Sequence, residues 1–580
     1  MSEQYYRWRN RDIRKQVAVL DGDTSPSVLL KNALYLNVFL KQWIKANIWI
    51  YQDRIVYVGD QLPANQSDME IVDCSNRYVV PGYIEPHAHP FQLYNPHQFA
   101  EYASQTGTTT LVNDNLIWLY LLEQKKAFSL IDDFMGMPVS MYWWCRFDSQ
   151  TLLQDERELF RNSKVLEWLN HRAVIQGGEL TSWPQVIADD DRILYWMQEA
   201  KRLGKPIEGH FPGASEKTLT KLKLLGASAD HEAMTGKEVI DRVRLGYQVS
   251  LRYSSIRPDL PTIFKEIHEE GLNHYEMFGM TTDGSTPAFY EQGVINQCIQ
   301  VAIEQGVPVE EAYLMASYYA AKHFNMQDRL GSIAPGRVAH INILEAKEKP
   351  NPISVLAKGK WMKKDGKLVS SGFEIDWDHY GIKPLTMDWE IEENDLQFSL
   401  PIGLEMVNDV ILKPYPIRID AMVNRIHDHL PESFLVLMDR YGKWHVNTLI
   451  KGFTKSLGGL VSSYTTTGDI VLIGKCKQDM MLAWKRMKEI GGGIVLVHNE
   501  EIIYELPLTL GGMMFDGDIE KLIEKDKELK AILKEQGYQY DDPAYNLLFL
   551  TSIHLPYIRI TPSGIVDVKK KEILFPAIMR

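Results

Sequence analysis

The fold is decided at residues 81–89, Pro81-Gly82-Tyr83-Ile84-Glu85-Pro86-His87-Ala88-His89. An apolar run at residues 78–80 leads into this stretch, as a buried strand would. Side chains two positions apart in an extended backbone point to the same side, so His87 and His89 can bind one metal ion. Imidazole nitrogens suit zinc, iron, manganese or nickel. A His-x-His pair is by itself a weak signal, and the residues downstream decide whether it is a metal site.

Downstream of this stretch the sequence alternates strand and helix patterns. Apolar, β-branched runs at residues 108–112, 139–144, 173–176, 248–252 and 275–282 read as strands. The segments between such runs carry apolar residues at helix spacing and end at glycines such as Gly204 and Gly226. This alternation is typical of a parallel sheet with crossover helices. Eight such units in about 250 residues predict a (β/α)8 barrel.

The predicted fold class is α/β, with three parts. We expect a (β/α)8 TIM barrel with metallohydrolase chemistry over residues 79–331, and a C-terminal α/β domain over residues 396–580. Short β-branched and aromatic runs on both sides of the barrel predict a composite small β-sandwich domain from residues 29–78 and 332–390. Residues 1–28 show no pattern that assigns them.

The composition is that of a soluble globular protein, since 45% of the 580 residues are hydrophobic and 24% are charged. A formal charge of -13 argues against nucleic acid or an anionic membrane as partner, because phosphates would be repelled. The four cysteines are scattered and form no Cys-x-x-Cys pair, which favours a reduced cytoplasm. The first 15 residues lack the apolar stretch of a secretory signal. We therefore expect a small-molecule substrate.

Further ligand-type side chains stand at the ends of the predicted barrel strands. They are Glu179, His210, His231 and Asp283, after strands four, five, six and eight. Each of them alone would more often be an ordinary loop or turn residue. Barrel active sites are built at the rim where strands end, so the joint pattern predicts that all four meet the histidine pair there.

Six nitrogen and carboxylate ligands are enough to hold two divalent ions, with Glu179 between them. Two close cations lower the pKa of a bound water and supply hydroxide near neutral pH. Asp283 is then placed to take a proton and hand it to the leaving group. We therefore predict Asp283 and Glu179 as catalytic residues. Arg252, after strand seven, and Glu232 are candidate substrate-binding residues, although an arginine there would as readily pair with Glu232 itself.

With these residues in hand, the sequence resembles the amidohydrolase superfamily and, within it, the adenine deaminase family. The superfamily motifs are residues 81–89 and Gly331-Ser332-Ile333-Ala334-Pro335-Gly336, which flank the barrel. The family stretches are Gly178-Glu179, Gly209-His210-Phe211-Pro212-Gly213, Ser228-Ala229-Asp230-His231-Glu232 and Thr282-Asp283. The C-terminal domain of the family is matched by Leu506-Pro507-Leu508, Leu555-Pro556 and Gly564-Ile565-Val566-Asp567-Val568.

This resemblance implies hydrolytic removal of the 6-amino group of adenine, which gives hypoxanthine and ammonia. It implies two divalent ions held by the six ligands named above, with manganese or iron as the usual metals and zinc as a further candidate. It also implies a purine base as the small-molecule partner, and we expect a homo-oligomer. Attack at C6 of adenine by a metal-activated water is known on unrelated zinc folds as well.

The sequence departs from the family pattern at three places. Pro90-Phe91-Gln92-Leu93 follows the histidine pair where the family has an Ile-Glu-Ser-Ser type stretch. Leu116 stands in the place of the histidine of an Asp-Pro-His-Glu motif, and Thr465-Thr466-Thr467-Gly468 replaces a His-Asp-Ser-His stretch. Two alternatives therefore stay open: hydrolysis of another amino heterocycle or cyclic amide, and a catalytically weak protein that binds a nucleobase.

Overall fold

The computed structural model describes residues 9–153 and 156–580. The unassigned N-terminal segment carries one described helix, and residues 1–8 of that segment lie outside the described residues. The elements before the barrel are α1 (Asn10–Leu20), β1 (Val28–Asn37), β2 (Gln42–Tyr51), β3 (Arg54–Gly59), β4 (Glu70–Asp73) and β5 (Tyr78–Pro81). β1, β2 and β3 pair antiparallel, as their β-branched and aromatic residues favour.

Eight parallel strands then follow in the described part of the chain. They are β6 (Tyr83–Ala88), β7 (Thr108–Asp114), β8 (Ser140–Cys145), β9 (Val174–Leu180), β10 (Ile207–Gly209), β11 (Ala229–Asp230), β12 (Gln248–Arg252) and β13 (Phe278–Thr281). Each pairs with the next along the chain. β13 returns to β6, where the Thr281 hydroxyl donates to Glu85 Oε1 (2.6 Å) and to the carbonyl of His87 (3.1 Å). The predicted (β/α)8 barrel is confirmed, with all strand carboxyl ends at one rim.

Helices cover the outside of the barrel. They are α2 (Pro96–Gln105), α3 (Leu116–Leu121), α4 (Gln124–Phe134), α5 (Glu156–Leu159), α6 (Asn162–Asn170), α7 (Trp183–Ile187), α8 (Asp191–Arg202), α9 (Glu216–Leu225), α10 (Gly236–Arg244), α11 (Leu260–Glu269), α12 (Ile295–Glu304), α13 (Val309–Met315) and α14 (Tyr318–His323), with a 3-10 turn at Pro287–Gln292. In α8, Ile193, Trp196, Met197 and Ala200 are buried on one face. Asp190 caps the start of this helix by accepting from two backbone amides.

The chain returns to the small β domain after the barrel. The strands there are β14 (Ile341–Leu344), β15 (Ser354–Ala357), β16 (Lys360–Lys364) and β17 (Lys367–Leu368). β14 pairs antiparallel with β5, with Ile341 opposite Pro81. Strands from both sides of the barrel therefore form one mixed sheet, nine-stranded over the residues described. Gly82 leads from β5 directly into β6, and a Cβ at this position would collide with Thr109.

The C-terminal unit begins after α15 (Trp377–Tyr380) and a 3-10 turn at Glu393–Leu396. Its elements are β18 (Ile402–Met406), β19 (Leu412–Pro416), β20 (Glu432–Met438), β21 (Trp444–Lys451), β22 (Gly459–Ser462), β23 (Ile470–Gly474), α16 (Lys477–Glu489), β24 (Gly493–His498), β25 (Glu501–Pro507), α17 (Ile519–Glu535), α18 (Pro543–Phe549), β26 (Ile558–Thr561), β27 (Gly564–Asp567), β28 (Glu572–Pro576) and β29 (Ile578–Met579). β18 to β25 form a mixed sheet that β29 joins through β21, and α16 packs on it. β26, β27 and β28 form a small antiparallel sheet.

The C-terminal unit packs directly against the barrel. One hydrophobic core is continuous between them and includes Leu180 of the barrel and Leu548 of the C-terminal unit. Backbone hydrogen bonds also cross the contact, since Phe515 N donates to Leu93 O at 2.6 Å. Among the helices of the described chain, none is long and apolar enough to cross a bilayer.

Candidate active site

The six predicted metal ligands lie at the carboxyl ends of barrel strands. His87 lies in β6 and Glu179 in β9, and the others closely follow strand ends: His89 after β6, His210 after β10, His231 after β11 and Asp283 after β13. Their ligand atoms form three overlapping groups whose members all lie within 4.8 Å of one another: His87, His89 and Glu179; His87, His231 and Asp283; Glu179, His210 and His231. The structure therefore brings all six side chains together.

Glu179 lies between two pairs of histidines. Its Oε1 atom is 2.7 Å from His210 Nδ1 and 3.6 Å from His231 Nε2. Its Oε2 atom is 3.8 Å from His89 Nε2 and 4.0 Å from His87 Nε2. A carboxylate with one oxygen toward each pair can bridge two cations.

Asp283 presents its two carboxylate oxygens to different partners. Oδ1 is 3.1 Å from His89 Nε2 and 3.4 Å from His87 Nε2, whereas Oδ2 is 2.7 Å from Arg252 Nη1. Burial raises the pKa of Asp283, but the charge of Arg252 and the hydrogen bond to His89 outweigh burial and hold this pKa far below its ordinary value. Asp283 is therefore a carboxylate with one oxygen directed at the histidines.

Several ligand atoms in this cluster lack a hydrogen bond. His87 Nδ1 and Nε2, His210 Nδ1 and His231 Nε2 are buried without a partner among the described residues. Leaving a buried polar atom unpaired costs about 1–3 kcal/mol. His210 Nδ1 and Glu179 Oε1 lie 2.7 Å apart without hydrogen-bond geometry, as two ligands of one ion would. The imidazole and carboxylate donors therefore fit divalent metal ions.

A buried ion pair that sequence analysis missed supports the cluster. Asp114 Oδ2 is 2.9 Å from His89 Nδ1, which leaves Nε2 of that histidine for a metal. Arg146 Nε donates to Asp114 Oδ1 at 2.9 Å, and its Nη2 lies 2.8 Å from Glu179 Oε2. Burial raises the pKa of Asp114, but the charge of Arg146 outweighs it and lowers that pKa to about 2. The sequence did carry a signal, because Arg146 directly follows the fully buried strand β8 at the same rim.

Arg252 and Glu232, the predicted substrate-binding residues, form an ion pair and both line the cavity described below. Arg252 Nη1 is 2.6 Å from Glu232 Oε1, and Arg257 Nη1 is 2.5 Å from Glu232 Oε2. Burial raises the pKa of Glu232, but the charges of His210, Arg252 and Arg257 lower it to about 2. Glu232 is therefore an ionised hydrogen-bond acceptor. The pairing of Arg252 with Glu232 that the sequence left open does form.

A cavity of about 1000 Å³ opens over the ligand cluster, a volume at the upper end of the range for small-molecule sites. His89, Glu179, His210 and Asp283 are among its lining residues. The C-terminal unit also contributes side chains that sequence analysis did not predict: Thr466, Met513, Tyr545, Leu548, Phe549 and His554. Thr466 lies in the stretch Thr465-Thr466-Thr467-Gly468 and His554 directly precedes Leu555-Pro556, but neither stretch indicates that its side chains face the barrel. Only the packing of distant chain segments places these six residues there.

Two glycines permit the turns that carry the ligands. Gly284 has a φ of +62°, and a Cβ there would lie 2.5 Å from Cβ of His89. Gly178 has a φ of +85°, and a Cβ there would lie 2.4 Å from the carbonyl oxygen of Glu208. Only glycine fits these positions. Asp283 itself has a φ of +47°, in the left-handed region, which aspartate tolerates better than most non-glycine residues.

Two protein-family profiles match the sequence. The profile described as Amidohydrolase family matches residues 78–362. The profile described as Adenine deaminase C-terminal domain matches residues 420–572. Together they cover the barrel with its flanking strands and most of the C-terminal unit.

Curated proteins are similar over nearly the whole chain. A protein of Oceanobacillus iheyensis named "Putative adenine deaminase" is 57% identical over 573 residues, 99% of each chain. A Bacillus subtilis protein with the same description is 53% identical over 580 residues, 100% of each chain. The "Adenine deaminase" of Thermosipho melanesiensis is 26% identical over 97% of this chain and 99% of that protein. Among solved structures, the beta-aspartyl dipeptidase of Fervidobacterium islandicum AW-1 is 16% identical with a TM-score of 0.46, over 60% of this chain and 99% of that chain.

Proposed function

The chain belongs to the adenine deaminase family of the amidohydrolases, and we propose that it hydrolyses adenine to hypoxanthine and ammonia. The resemblance read from the motifs is confirmed, and family membership makes the protein a hydrolase of C–N bonds. The observation that carries the proposal is the convergence of six ligand-type side chains, four of which line one cavity. A role in purine salvage would follow from this substrate, and the four free cysteines support a place in the reducing cytoplasm.

We assign metal binding to the six side chains at the rim: His87, His89, Glu179, His210, His231 and Asp283. The imidazole atoms without hydrogen bonds support this assignment. Because Glu179 faces both histidine pairs, the set has room for two ions, and manganese or iron suits its nitrogen and carboxylate donors. When bound, such a metal lowers the pKa of a water and provides a hydroxide nucleophile near neutral pH.

The protein side chains supply orientation and proton transfer. Asp283 accepts a proton from the attacking water on Oδ1 and delivers it to the departing amine. Arg252 holds Oδ2 at 2.7 Å and so keeps Oδ1 in that orientation. Arg146 holds Glu179 in place in the same way. Glu232, as an ionised acceptor at the cavity wall, receives an N–H group of the base.

A second candidate is hydrolysis of another amino heterocycle or a cyclic amide. Phe91 and Leu116 both line the cavity, and both stand where the sequence departs from the family pattern. The leucine side chain cannot transfer a proton. Either another group protonates the ring of adenine, or the substrate is one that needs no such transfer.

An ammonia-release assay tests the two candidates directly. Metal-free protein is reloaded with Mn²⁺ or Fe²⁺ and offered adenine, other amino heterocycles and cyclic amides, while hypoxanthine is followed by its ultraviolet absorbance. Ammonia and hypoxanthine released in equal amounts from adenine support the first candidate. Turnover of another heterocycle alone supports the second. Binding of adenine with no turnover of any compound contradicts both.

The role of Asp283 predicts the behaviour of Asp283→Asn. Because an amide cannot accept the proton, kcat should fall by about 10²–10⁴-fold, measured at matched metal content. Asp328→Asn is the control, since the carboxylate of Asp328 is 76% exposed, and it should keep the wild-type kcat. Near wild-type turnover by Asp283→Asn with full metal occupancy would refute the assignment.

A further inference from the structure

We propose that His554, a residue of the C-terminal unit, contacts the substrate and hydrogen-bonds to it through Nε2. The inference rests on the proposed function, because it assigns a new residue to the same cavity. It makes the C-terminal unit part of the active site and not only a cover for the barrel. The relevant observations are the position of the imidazole, its unpaired nitrogen and the contacts that fix it.

The imidazole of His554 lies beside the metal ligands without belonging to them. It lines the cavity together with Glu179 and His210. Its ring meets the ring of His210 edge to face, with the centroids 5.3 Å apart and an interplanar angle of 83°. The groups of potential metal ligands among the described residues do not include His554. A substrate whose reacting carbon lies over the metal ligands must therefore pass close to this imidazole.

Of the two ring nitrogens of His554, Nε2 is the one open to such a contact. Nδ1 is shielded from solvent, so a ligand in the cavity does not reach it. Nε2 is not buried in this way and makes no hydrogen bond to the described residues. It belongs to a cavity-lining side chain, so a cavity ligand is its natural partner.

Contacts on both sides hold the His554 segment against the barrel. Ile553 N donates to Gln150 O at 2.9 Å, and the Thr151 hydroxyl donates to Thr551 O at 2.7 Å. Phe549 packs edge to face on the imidazole, with the ring centroids 5.6 Å apart. Gln150 and Thr151 themselves line the cavity. The imidazole is therefore fixed before substrate arrives, which avoids an ordering cost on binding.

The chemistry of the surrounding groups explains why an imidazole would be useful here. Glu232 can only accept hydrogen bonds and Arg252 can only donate them, whereas a neutral imidazole has one nitrogen of each kind. When an amino heterocycle is hydrolysed to a lactam, the neighbouring ring nitrogen changes from acceptor to donor. A side chain that can present either role suits a ring nitrogen that changes in this way.

Three substitutions separate the nitrogen atoms of His554. In His554→Asn the amide can reach the position of Nδ1, in His554→Gln it can reach that of Nε2, and His554→Phe keeps an aromatic ring without hydrogen-bonding groups. We expect His554→Gln to stay within about threefold of wild type in kcat/KM, and His554→Asn and His554→Phe to lose about tenfold or more. His429→Asn, an exposed histidine of the same unit, is the matched control and should behave as wild type.

Metal content and product binding complete the experiment. Each variant is loaded with Mn²⁺, its metal is counted, and hypoxanthine binding is measured by calorimetry. Equal metal content with weaker hypoxanthine binding in His554→Phe supports a substrate contact. Unchanged kcat/KM and binding in His554→Phe, or a loss of metal that accounts for the defect, overturns it. If the wild-type protein neither deaminates adenine nor binds hypoxanthine, the proposed function is wrong, whatever the role of His554. The variants are then compared on the heterocycle that the wild type does hydrolyse.

Discussion

Arg146 is a permanent cation between two buried carboxylates that the proposed mechanism needs in fixed positions. Its guanidinium contacts Asp114, which orients His89, and Glu179, which faces both histidine pairs. The planar guanidinium of an arginine can donate to two carboxylates at once, whereas the ammonium of a lysine acts as a single point charge. The orientation of the ligand set therefore depends on a residue that touches neither the proposed substrate nor the metal.

We expect Arg146→Gln to lower both stability and turnover. Removing one partner of a buried ion pair typically costs about 3–5 kcal/mol in the free energy of unfolding. Arg146→Lys should have a stability and a kcat between those of Arg146→Gln and the wild type. Lysine keeps the positive charge but lacks the planar guanidinium that contacts both carboxylates. Thermal unfolding of the metal-free protein and kcat at matched metal content measure the two effects.

The control for this pair of variants is Arg172→Gln. Arg172 is a surface arginine paired with Asp132, its side chain 35% exposed. Ion pairs at such positions contribute about 0–1 kcal/mol. Equal stability losses in Arg146→Gln and Arg172→Gln would contradict the buried role of Arg146.

The ligand residues could be predicted from the sequence because strand ends are recognisable. His87 and His89 follow an apolar run, and Asp283 and Gly284 form a turn after another. The sequence does not show which distant segments face the rim. Arg146 follows a recognisable strand but belongs to no ligand pattern, and His554 lies in a stretch whose position depends on packing over the whole chain.

Helix α18 fixes the loop that carries Asp283. Tyr545, in this helix, donates its hydroxyl hydrogen to the carbonyl of Gly284 at 2.7 Å and lies 3.4 Å from the carbonyl of Asp283. The loop has a left-handed residue at Asp283, so an outside contact helps to hold it.

We therefore expect Tyr545→Phe to reduce kcat by about fivefold, the effect of one lost hydrogen bond of about 1 kcal/mol. Metal content should not change. Tyr540→Phe is the control, because the Tyr540 hydroxyl donates to the carbonyl of Met406, away from the loop. A kcat of Tyr545→Phe equal to that of the control would show that the contact does not position Asp283.

The turn between β22 and β23 contains a buried carboxyl group, Asp469, that titrates near neutrality. Burial is the main cause that raises the pKa of Asp469 to about 7, and the charge of Asp439 adds to it. Folded protein keeps this proton up to about pH 7, whereas the unfolded chain releases it near pH 3.8. Between these values the folded state binds more protons, so the contribution of Asp469 to stability falls as pH rises.

Asp469→Asn cannot ionise and should escape this loss, which amounts to about 4 kcal/mol over three pKa units. We expect the melting temperature of the variant, relative to wild type, to rise between about pH 4 and pH 7 and to level off above pH 7. Asp428→Asn is the control, because the side chain of Asp428 is 52% exposed in the same unit. A difference between Asp469→Asn and wild type that does not change with pH would contradict the buried titration.

The positions of the strands along the chain were easier to predict from the sequence than the pairing of those strands in the sheets. β1, β2 and β3 follow from β-branched and aromatic runs bounded by turn residues. β11 has only two residues and little intrinsic preference, and it is held by tertiary contacts such as Phe211 N donating to Asp230 Oδ1 at 2.8 Å. The pairing order of the C-terminal sheet, where β18 lies beside β21, is not written in any local pattern.

For the whole molecule, metal binding and folding should be coupled across the barrel and the C-terminal unit. Their hydrophobic core is continuous, and both line the same cavity. A ligand at 100 times its dissociation constant adds about 2.7 kcal/mol to the stability of the folded state. We expect chelation to lower the melting temperature, and Mn²⁺ to restore it, in one transition seen by calorimetry.

Hydrogen exchange can show whether this coupling reaches the C-terminal unit. Chelation should reduce amide protection in α17 and α18 as well as in the barrel strands. The control is His89→Ala, in which chelation should have little effect because one ligand is already absent. Protection that is lost in the barrel alone would mean that the two parts respond independently.

The order of strands in the small β sheet affects the nascent chain during translation. β5 leaves the ribosome about 260 residues before β14, its neighbour in the finished sheet. At 5–20 residues per second, that delay lasts about 13–50 s. During this time one side of β5 has no partner from its own chain, and an unpaired strand is a template for pairing with other chains. Neighbouring nascent chains on one messenger RNA can therefore pair through β5, and a chaperone that covers this strand until β14 is made would prevent it.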